Sequence, residues 1–301
     1  MANASGQVMV VSGAALWRQR LVRLRGGVRR LPILPSAILG VLLVFALFGP
    51  WIAPHPPTAQ NLSNTLAPPI WHSEGSFTNV LGTDRLGRDL FTRLIYGARV
   101  SLSLALVIIL IGGTAGTLLG LISGYSGKRA DAVIQRGVEV ILAMPTILVA
   151  LVFVYTFGQS ISSVMLVLSP FLAARFARIV RGETLSVRER DFVAVARVIG
   201  SPTHRILLRH IFPNVFNTII VLATLEVGNM ILLVASLSFL GVGVPPPNAE
   251  WGLMVADGRE YVASAYWITL LPGLAILAAV LSLNLFGDWL RDTLDPRRRQ
   301  L

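Results

Sequence analysis

LSLALVIILIGGTAGTLLGLI, residues 102–122, contains no charged side chain and no polar one besides two threonines and one serine. Because about 20 mainly apolar residues cross a bilayer as a helix, this run predicts a transmembrane helix. Buried helices of a soluble protein are the alternative, but such helices seldom recur at this length without charged residues. Similar runs occur at residues 36–53, 138–157, 215–240 and 268–285, with a shorter one that holds Pro170 at residues 161–174. The sequence therefore predicts an all-α integral membrane protein with six transmembrane helices, since membrane helices tolerate proline.

The composition supports a membrane protein and excludes several kinds of chemistry. Of the 301 residues, 54% are hydrophobic and 14% are charged, whereas a soluble domain carries about 25% charged residues. The absence of cysteine excludes disulfide frameworks, thiolate metal sites and cysteine nucleophiles. No two of the four histidines are spaced i, i+4, so no metal site is predicted. No histidine or serine motif accompanies the acidic residues, so no catalytic residue is predicted either.

The net charge of +11 is unevenly distributed along the chain. With six spans, 21 of the 26 lysines and arginines lie on the side of the two termini. Cytoplasmic loops of membrane proteins carry the excess of basic residues, so both termini are predicted to be cytoplasmic. Insertion in a lipid bilayer therefore accounts for the excess of basic residues, and a nucleic-acid partner is not needed to explain it.

Five regions follow from this topology. They are a cytoplasmic tail (1–35), the first span (36–53), an outer segment (54–99), a membrane core (100–288) that includes a cytoplasmic loop (175–212), and a second cytoplasmic tail (289–301).

The outer segment begins with prolines that favour extended chain and then changes character. Thr83 is a suitable N-cap, and Asp84 with Arg88 and Asp89 with Arg93 are opposite charges four residues apart. These features predict an amphipathic helix at the outer interface that leads into the second span. It is either a structural elbow or a contact for a substrate-delivery partner.

The cytoplasmic loop has the signals of two short helices joined by a sharp turn. Residues 183–199 form the first, Gly200 is suited to the left-handed position after its end, and Ser201 with Pro202 can begin the second. Residues 203–211 complete it, and Pro213 marks the return to the membrane. Such a rigid elbow suits docking into a groove of another protein, and a solvated basic loop is the alternative.

The same loop resembles the "EAA" loop of binding-protein-dependent ABC importers. Ala194-Val195-Ala196 stands where that pattern has Glu-Ala-Ala, and Gly200 and Pro213 have the expected separation. The glutamate is missing, although the order of helix, glycine and helix is retained. Motifs similar to the OppC/DppC type of permease subunit occur at residues 81–84 (LGTD), 87–89 (GRD), 97–102 (GARVSL), 238–243 (SFLGVG), 250–252 (EWG) and 284–288 (NLFGD).

The resemblance implies the type I ABC importer permease fold in a bacterial plasma (inner) membrane. The implied partners are a second, DppB/OppB-like permease subunit, two ABC ATPase subunits and an extracytoplasmic substrate-binding protein. ATP and Mg would be bound by the ATPase subunits, because this chain has no G-x-x-x-x-G-K-[ST] phosphate loop and no other cofactor motif. Di- or oligopeptides are the implied substrates, with nickel complexes, glutathione or another small solute as alternatives.

A membrane-embedded enzyme and a simple channel are rival functions. The enzyme would need a nucleophile and base or paired acids inside the spans, where Glu226 stands without such a partner in the sequence. A channel would need a selectivity ring, which is not evident.

Three sets of site residues are predicted. The ATPase-coupling loop comprises Ala194, Ala196, Gly200, Ser201, Pro202 and Pro213. Glu226 and Asn229 share a helix face that could line the translocation path or pack against the second permease. The outer-face contacts for the binding protein are Asp84, Arg88, Asp89, Glu250 and Trp251.

Overall fold

The computed structural model describes residues 31–294, so most of both predicted tails lies outside the described residues. Nearly all regular structure in this range is helical; the exception is one isolated antiparallel bridge between Thr83 and Asp89. The helices are α1 (Ile33–Ile52), α2 (Leu90–Tyr125), α3 (Lys128–Ala143), α4 (Thr146–Phe157), α5 (Ile161–Arg188), α6 (Asp191–Val198), α7 (Thr203–Phe239), α8 (Trp251–Gly258) and α9 (Trp267–Leu294). Short 3₁₀ turns occupy Leu62–Asn64, Phe77–Asn79 and Arg259–Tyr261.

Five of these helices, α1, α2, α5, α7 and α9, are long and apolar enough to cross a membrane. A sixth crossing requires α3 and α4 together, which meet at an angle of 85°. The run at residues 138–157, predicted as a single membrane-spanning helix, is therefore part of two helices with a sharp bend between them. Pro145 cannot donate a backbone hydrogen bond and disfavours the helical conformation of Met144, which is extended here with ψ 134°.

The most extensive helix contact joins α2 to α5 through glycines spaced four residues apart in α2. An added Cβ at Gly120 would lie 2.8 Å from the carbonyl oxygen of Ala177 and 2.7 Å from the Cβ of Val180. The same crowding occurs along the stripe of Gly112, Gly116, Gly120 and Gly124. Small residues let helix backbones approach closely in membranes, where lipid tails offer no hydrophobic advantage to helix association.

The outer segment does not contain the helix predicted to begin at Thr83. The Thr83 hydroxyl donates to the Asn64 carbonyl oxygen (2.6 Å) and accepts from the Ala67 amide (2.8 Å), so it cannot act as a cap. Gly87 adopts a positive φ of 69°, and α2 begins only at Leu90. Asp89 is its N-cap and accepts from the Thr92 amide at 2.8 Å.

Candidate functional site

The cytoplasmic elbow is formed by α6, the turn at Gly200 and the start of α7. Gly200 has φ +75°, and its amide donates to the Arg197 carbonyl oxygen (3.0 Å). The Ser201 amide donates to the Ala196 carbonyl oxygen (3.0 Å). These two bonds form a Schellman motif, which satisfies carbonyls that the helix end leaves free. The left-handed conformation expected at Gly200 is therefore present.

Other details of the elbow differ from the prediction. The first helix is interrupted at Glu189 and Arg190, where α5 ends and α6 begins. Pro202, rather than Ser201, is the N-cap of α7, and no side chain caps that end. Pro213 does not end the second helix, because the π-helical turn Ile206–Ile211 shifts the hydrogen-bond register just before it and α7 continues.

The two faces of α6 have different environments. Val193 and Ala196 are buried with Ile206 and Ile211 of α7, in a cluster that also contains Val187 of α5. The opposite face is apolar yet open: Val195, Val198 and Ile199 are 59%, 86% and 73% exposed. Of the predicted loop residues, Ala196 is buried and Ser201 is half-buried, whereas Ala194, Gly200, Pro202 and Pro213 are exposed. An exposed apolar patch of this kind is typical of a protein-binding surface.

The five predicted outer-face residues have internal partners instead of a free surface. Asp84, Arg88, Asp89, Glu250 and Trp251 are all buried. Glu250 caps α8 by accepting from the amides of Gly252 (2.8 Å) and Leu253 (2.7 Å). The Trp251 indole donates to the Leu94 carbonyl oxygen at 3.1 Å. The structure therefore gives these side chains a role in holding the outer segment together.

Asp84 is the centre of a buried charge cluster. Its carboxylate accepts from Arg88 Nε at 2.6 Å and lies 3.5 Å from Arg93 Nε, so Arg93 pairs with Asp84 and not with Asp89. Asp257 of α8 lies 3.3 Å from Arg88 and 3.2 Å from Arg85. These contacts join the outer segment to α2 and α8.

Asp84→Asn should lower the stability of the purified chain by about 3 kcal/mol, because it leaves Arg88 and Arg93 with one fewer buried counter-charge. In detergent, this corresponds to a fall in melting temperature of roughly 6–10 °C. Glu74→Gln is the matched control, since Glu74 is exposed in the same segment. Its melting temperature should change by less than about 1 °C. Equal shifts in the two variants would contradict a stabilising role of the cluster.

The two predicted path residues have unlike surroundings. Glu226 is buried, and its Oε2 lies 3.3 Å from the Arg175 Nη1 of α5. Asn229 is exposed on the same helix. Hydropathy ends the fourth apolar run at residue 174 and so predicts Arg175 in the cytoplasmic loop, whereas the helix continues to Arg188. Arg175 and Glu226 are 51 positions apart in the chain, so no local sequence pattern reveals this pair.

The long apolar helices define a multi-pass integral membrane protein. The chain belongs to the family of binding-protein-dependent transport system inner membrane components, which matches residues 116–300. Residues 29–69 match the N-terminal transmembrane domain of oligopeptide transport permease C. Both matches confirm the resemblance seen in the sequence.

Curated relatives cover most of the chain. The dipeptide transport system permease protein DppC of Escherichia coli (strain K12) is 44% identical over 260 residues, 86% of this chain and 87% of the relative. The di/tripeptide transport system permease protein DppC of Pseudomonas aeruginosa (strain UCBPP-PA14) is 42% identical over 258 residues, 85% of each chain. These relatives are transport permeases rather than enzymes.

Solved structures share the fold. A crystal structure of an amino acid ABC transporter with histidines aligns with TM-score 0.54 and 18% identity, over 68% of this chain and 95% of that chain. An inward-facing structure of the MetNI methionine ABC transporter gives TM-score 0.53 and 16% identity, over 67% and 97%. The predicted all-α permease fold is therefore confirmed.

Proposed function

We propose that this chain is a permease subunit of an ATP-driven importer and forms half of the translocation path for di- or oligopeptides. The names of its relatives support the peptide substrate, since relatives at 42% and 44% identity are di/tripeptide and dipeptide permeases. The single observation that carries the coupling role is the elbow, where α6 is anchored by Val193 and Ala196 and exposes Val195, Val198 and Ile199.

The roles of the other subunits follow from this arrangement. Two ATPase subunits bind the elbow and hold ATP and Mg, while a second homologous permease forms the other half of the path. An external binding protein delivers the solute to the outer segment. Glu226 and Asn229, near the middle of α7, belong to the path, because polar groups at that depth face a wet cavity or another protein subunit.

Coupling through the elbow is tested at Gly200. An added Cβ there meets nothing within 4 Å, so a substitution acts through the backbone conformation alone. Valine disfavours positive φ by about 1–2 kcal/mol, and Gly200→Val should slow peptide uptake roughly tenfold while the permease still reaches the membrane. Gly200→Asn is the matched control, because asparagine tolerates this conformation, and its uptake should stay near the wild-type rate. Equal uptake by both variants would count against the elbow as the coupling element.

The proposed orientation places both termini in the cytoplasm of a bacterial plasma membrane. The chain has no cysteine, so single cysteines can be probed without background. Ser73→Cys in the outer segment should react with an impermeant maleimide on intact spheroplasts. Thr203→Cys at the elbow should react only after permeabilisation. Both positions are exposed, so labelling of both on intact spheroplasts would rule out the topology.

A further inference from the structure

The ion pair of Arg175 and Glu226 joins α5 to α7. Arg175 is the fifteenth residue of the twenty-eight in Ile161–Arg188. Glu226 is the twelfth of the twenty-six residues in the apolar run 215–240 of α7. An apolar run of this length spans the hydrocarbon core of a bilayer, so Glu226 near its middle, and Arg175 in contact with it, lie at membrane depth. A charged pair there requires an explanation, because ionisable groups at this depth are costly.

The two partners differ in accessibility. The Glu226 side chain is 9% exposed, whereas the Arg175 side chain is 41% exposed. The guanidinium makes one contact with Glu226, through Nη1, and within residues 31–294 it has no second ion-pair partner. Since a guanidinium carries five N–H donors, most of its hydrogen-bonding capacity is directed away from Glu226.

The face of α5 that carries Arg175 is polar towards the cytoplasmic end. Arg178, Gly182 and Ser186 follow at spacings of three or four residues and are exposed. Ile179 is also exposed beside them, but a helix face with two arginines, a glycine and a serine is unsuited to lipid. The opposite face of α5 packs against the glycine stripe of α2. The open side of Arg175 therefore faces water or a path shared with another subunit.

The break between α3 and α4 lies near the same level. Val138 of α3 packs with Ala174 and Ala177 of α5. α4 also contacts α5, and Phe153 packs against the main core cluster. The bend at Met144 and Pro145 thus lies between two helices that both contact α5, and both residues are exposed. Irregular backbone at membrane depth occurs where it lines a cavity or is buried in protein, which again places the path on this side.

We propose that Arg175 binds the carboxylate of the solute as it crosses, and that Glu226 holds the guanidinium in position between transport events. A guanidinium binds a carboxylate through two parallel hydrogen bonds, and every unmodified peptide carries a terminal carboxylate whatever its side chains. The site is therefore selective for a carboxylate and indifferent to peptide sequence. This inference rests on the proposed import of peptides.

The test uses the whole transporter with its partner subunits and binding protein in proteoliposomes, with radiolabelled alanylalanine as the probe. Arg175→Gln should assemble and import about 30-fold more slowly, and Arg175→Lys about tenfold, because lysine retains the charge but not the paired donors. Arg129→Gln is the matched control, since Arg129 is exposed at the start of α3, and it should import at the wild-type rate.

The exchanged variant Arg175→Glu with Glu226→Arg separates binding from structure. The complex should assemble in this variant as it does in the single variants, while import stays low, because the guanidinium is then on the wrong helix. Wild-type import by Arg175→Gln, or restored import in the exchanged variant, would overturn the inference. If neither single variant at Arg175 assembles, the inference is also overturned, because the ion pair is then needed for folding. If the wild-type complex does not import alanylalanine, the proposed peptide substrate fails first, and the inference fails with it.

Discussion

Replacing Gly120 with leucine should leave no correctly folded protein to purify. A Cβ at this position would lie 2.7 Å from the Val180 Cβ, 2.8 Å from the Ala177 carbonyl oxygen and 3.0 Å from the Arg181 amide nitrogen. Two of these three atoms belong to the α5 backbone, which cannot rotate away as a side chain can. Leucine would therefore separate α2 from α5 along the contact that holds the bundle. Overpacking costs about 1–3 kcal/mol where side chains can adjust, and more where backbones must separate.

Gly40→Leu is the matched control for this prediction. Gly40 also lies within an apolar helix, but an added Cβ there meets nothing within 4 Å. Leucine is also the better helix former, by up to about 1 kcal/mol. Size-exclusion chromatography in detergent should show a monodisperse peak for Gly40→Leu and aggregate or no protein for Gly120→Leu. Equal, monodisperse peaks would contradict the close packing of the two helices.

Val198→Asp should abolish peptide uptake without loss of the permease from the membrane. Its side chain is 86% exposed and has little packing to lose. If the patch of Val195, Val198 and Ile199 is buried by the ATPase subunits, an aspartate at its centre leaves an unpaired charge in the interface. Loss of such an anchor costs at least about 2 kcal/mol, which is a 30-fold weaker association. Co-purification of the ATPase subunits with the tagged permease measures the effect.

Phe77→Asp provides the control for that substitution. Phe77 is 89% exposed in the outer segment, so the same kind of change is made on the proposed opposite face of the membrane. It should leave ATPase co-purification unchanged. Normal recovery of the ATPase subunits with Val198→Asp would show that the patch is not their docking surface.

The membrane helices could be predicted from sequence because hydropathy is a local property that the bilayer selects directly. The start of α2 could not be predicted from sequence. Thr83, Asp84 and Arg88 carry valid helix-start signals, but long-range contacts take precedence. The Asn61 amide donates to the Leu86 carbonyl oxygen (3.3 Å), and Gly87 lies too close to the Asn61 backbone for any Cβ. The Asp84 and Arg88 pair does form, but within a turn.

The elbow shows the same division between local and distant causes. The turn at Gly200 was predictable because its Schellman motif involves only adjacent residues. The break at Glu189 and Arg190 contains neither glycine nor proline. Val187 and Val193 pack in one cluster, although residues six apart lie on different faces of a continuous helix. The chain turns between them so that both can be buried.

The glycine stripe of α2 is a sequence signal for close helix packing, although hydropathy alone does not use it. Gly112, Gly116, Gly120 and Gly124 recur every four residues inside an apolar run, which is the known signature of close helix packing in membranes. The pairing of Arg175 with Glu226 had no comparable signal, since it depends on how two distant helices are aligned.

ATP-driven uptake of alanylalanine into proteoliposomes tests the proposed function most directly. The vesicles contain the second permease, the two ATPase subunits and the external binding protein, with or without this chain. We expect the peptide to accumulate only when this chain, ATP and the binding protein are all present. Equal accumulation in vesicles that lack this chain would contradict its role as half of the translocation path.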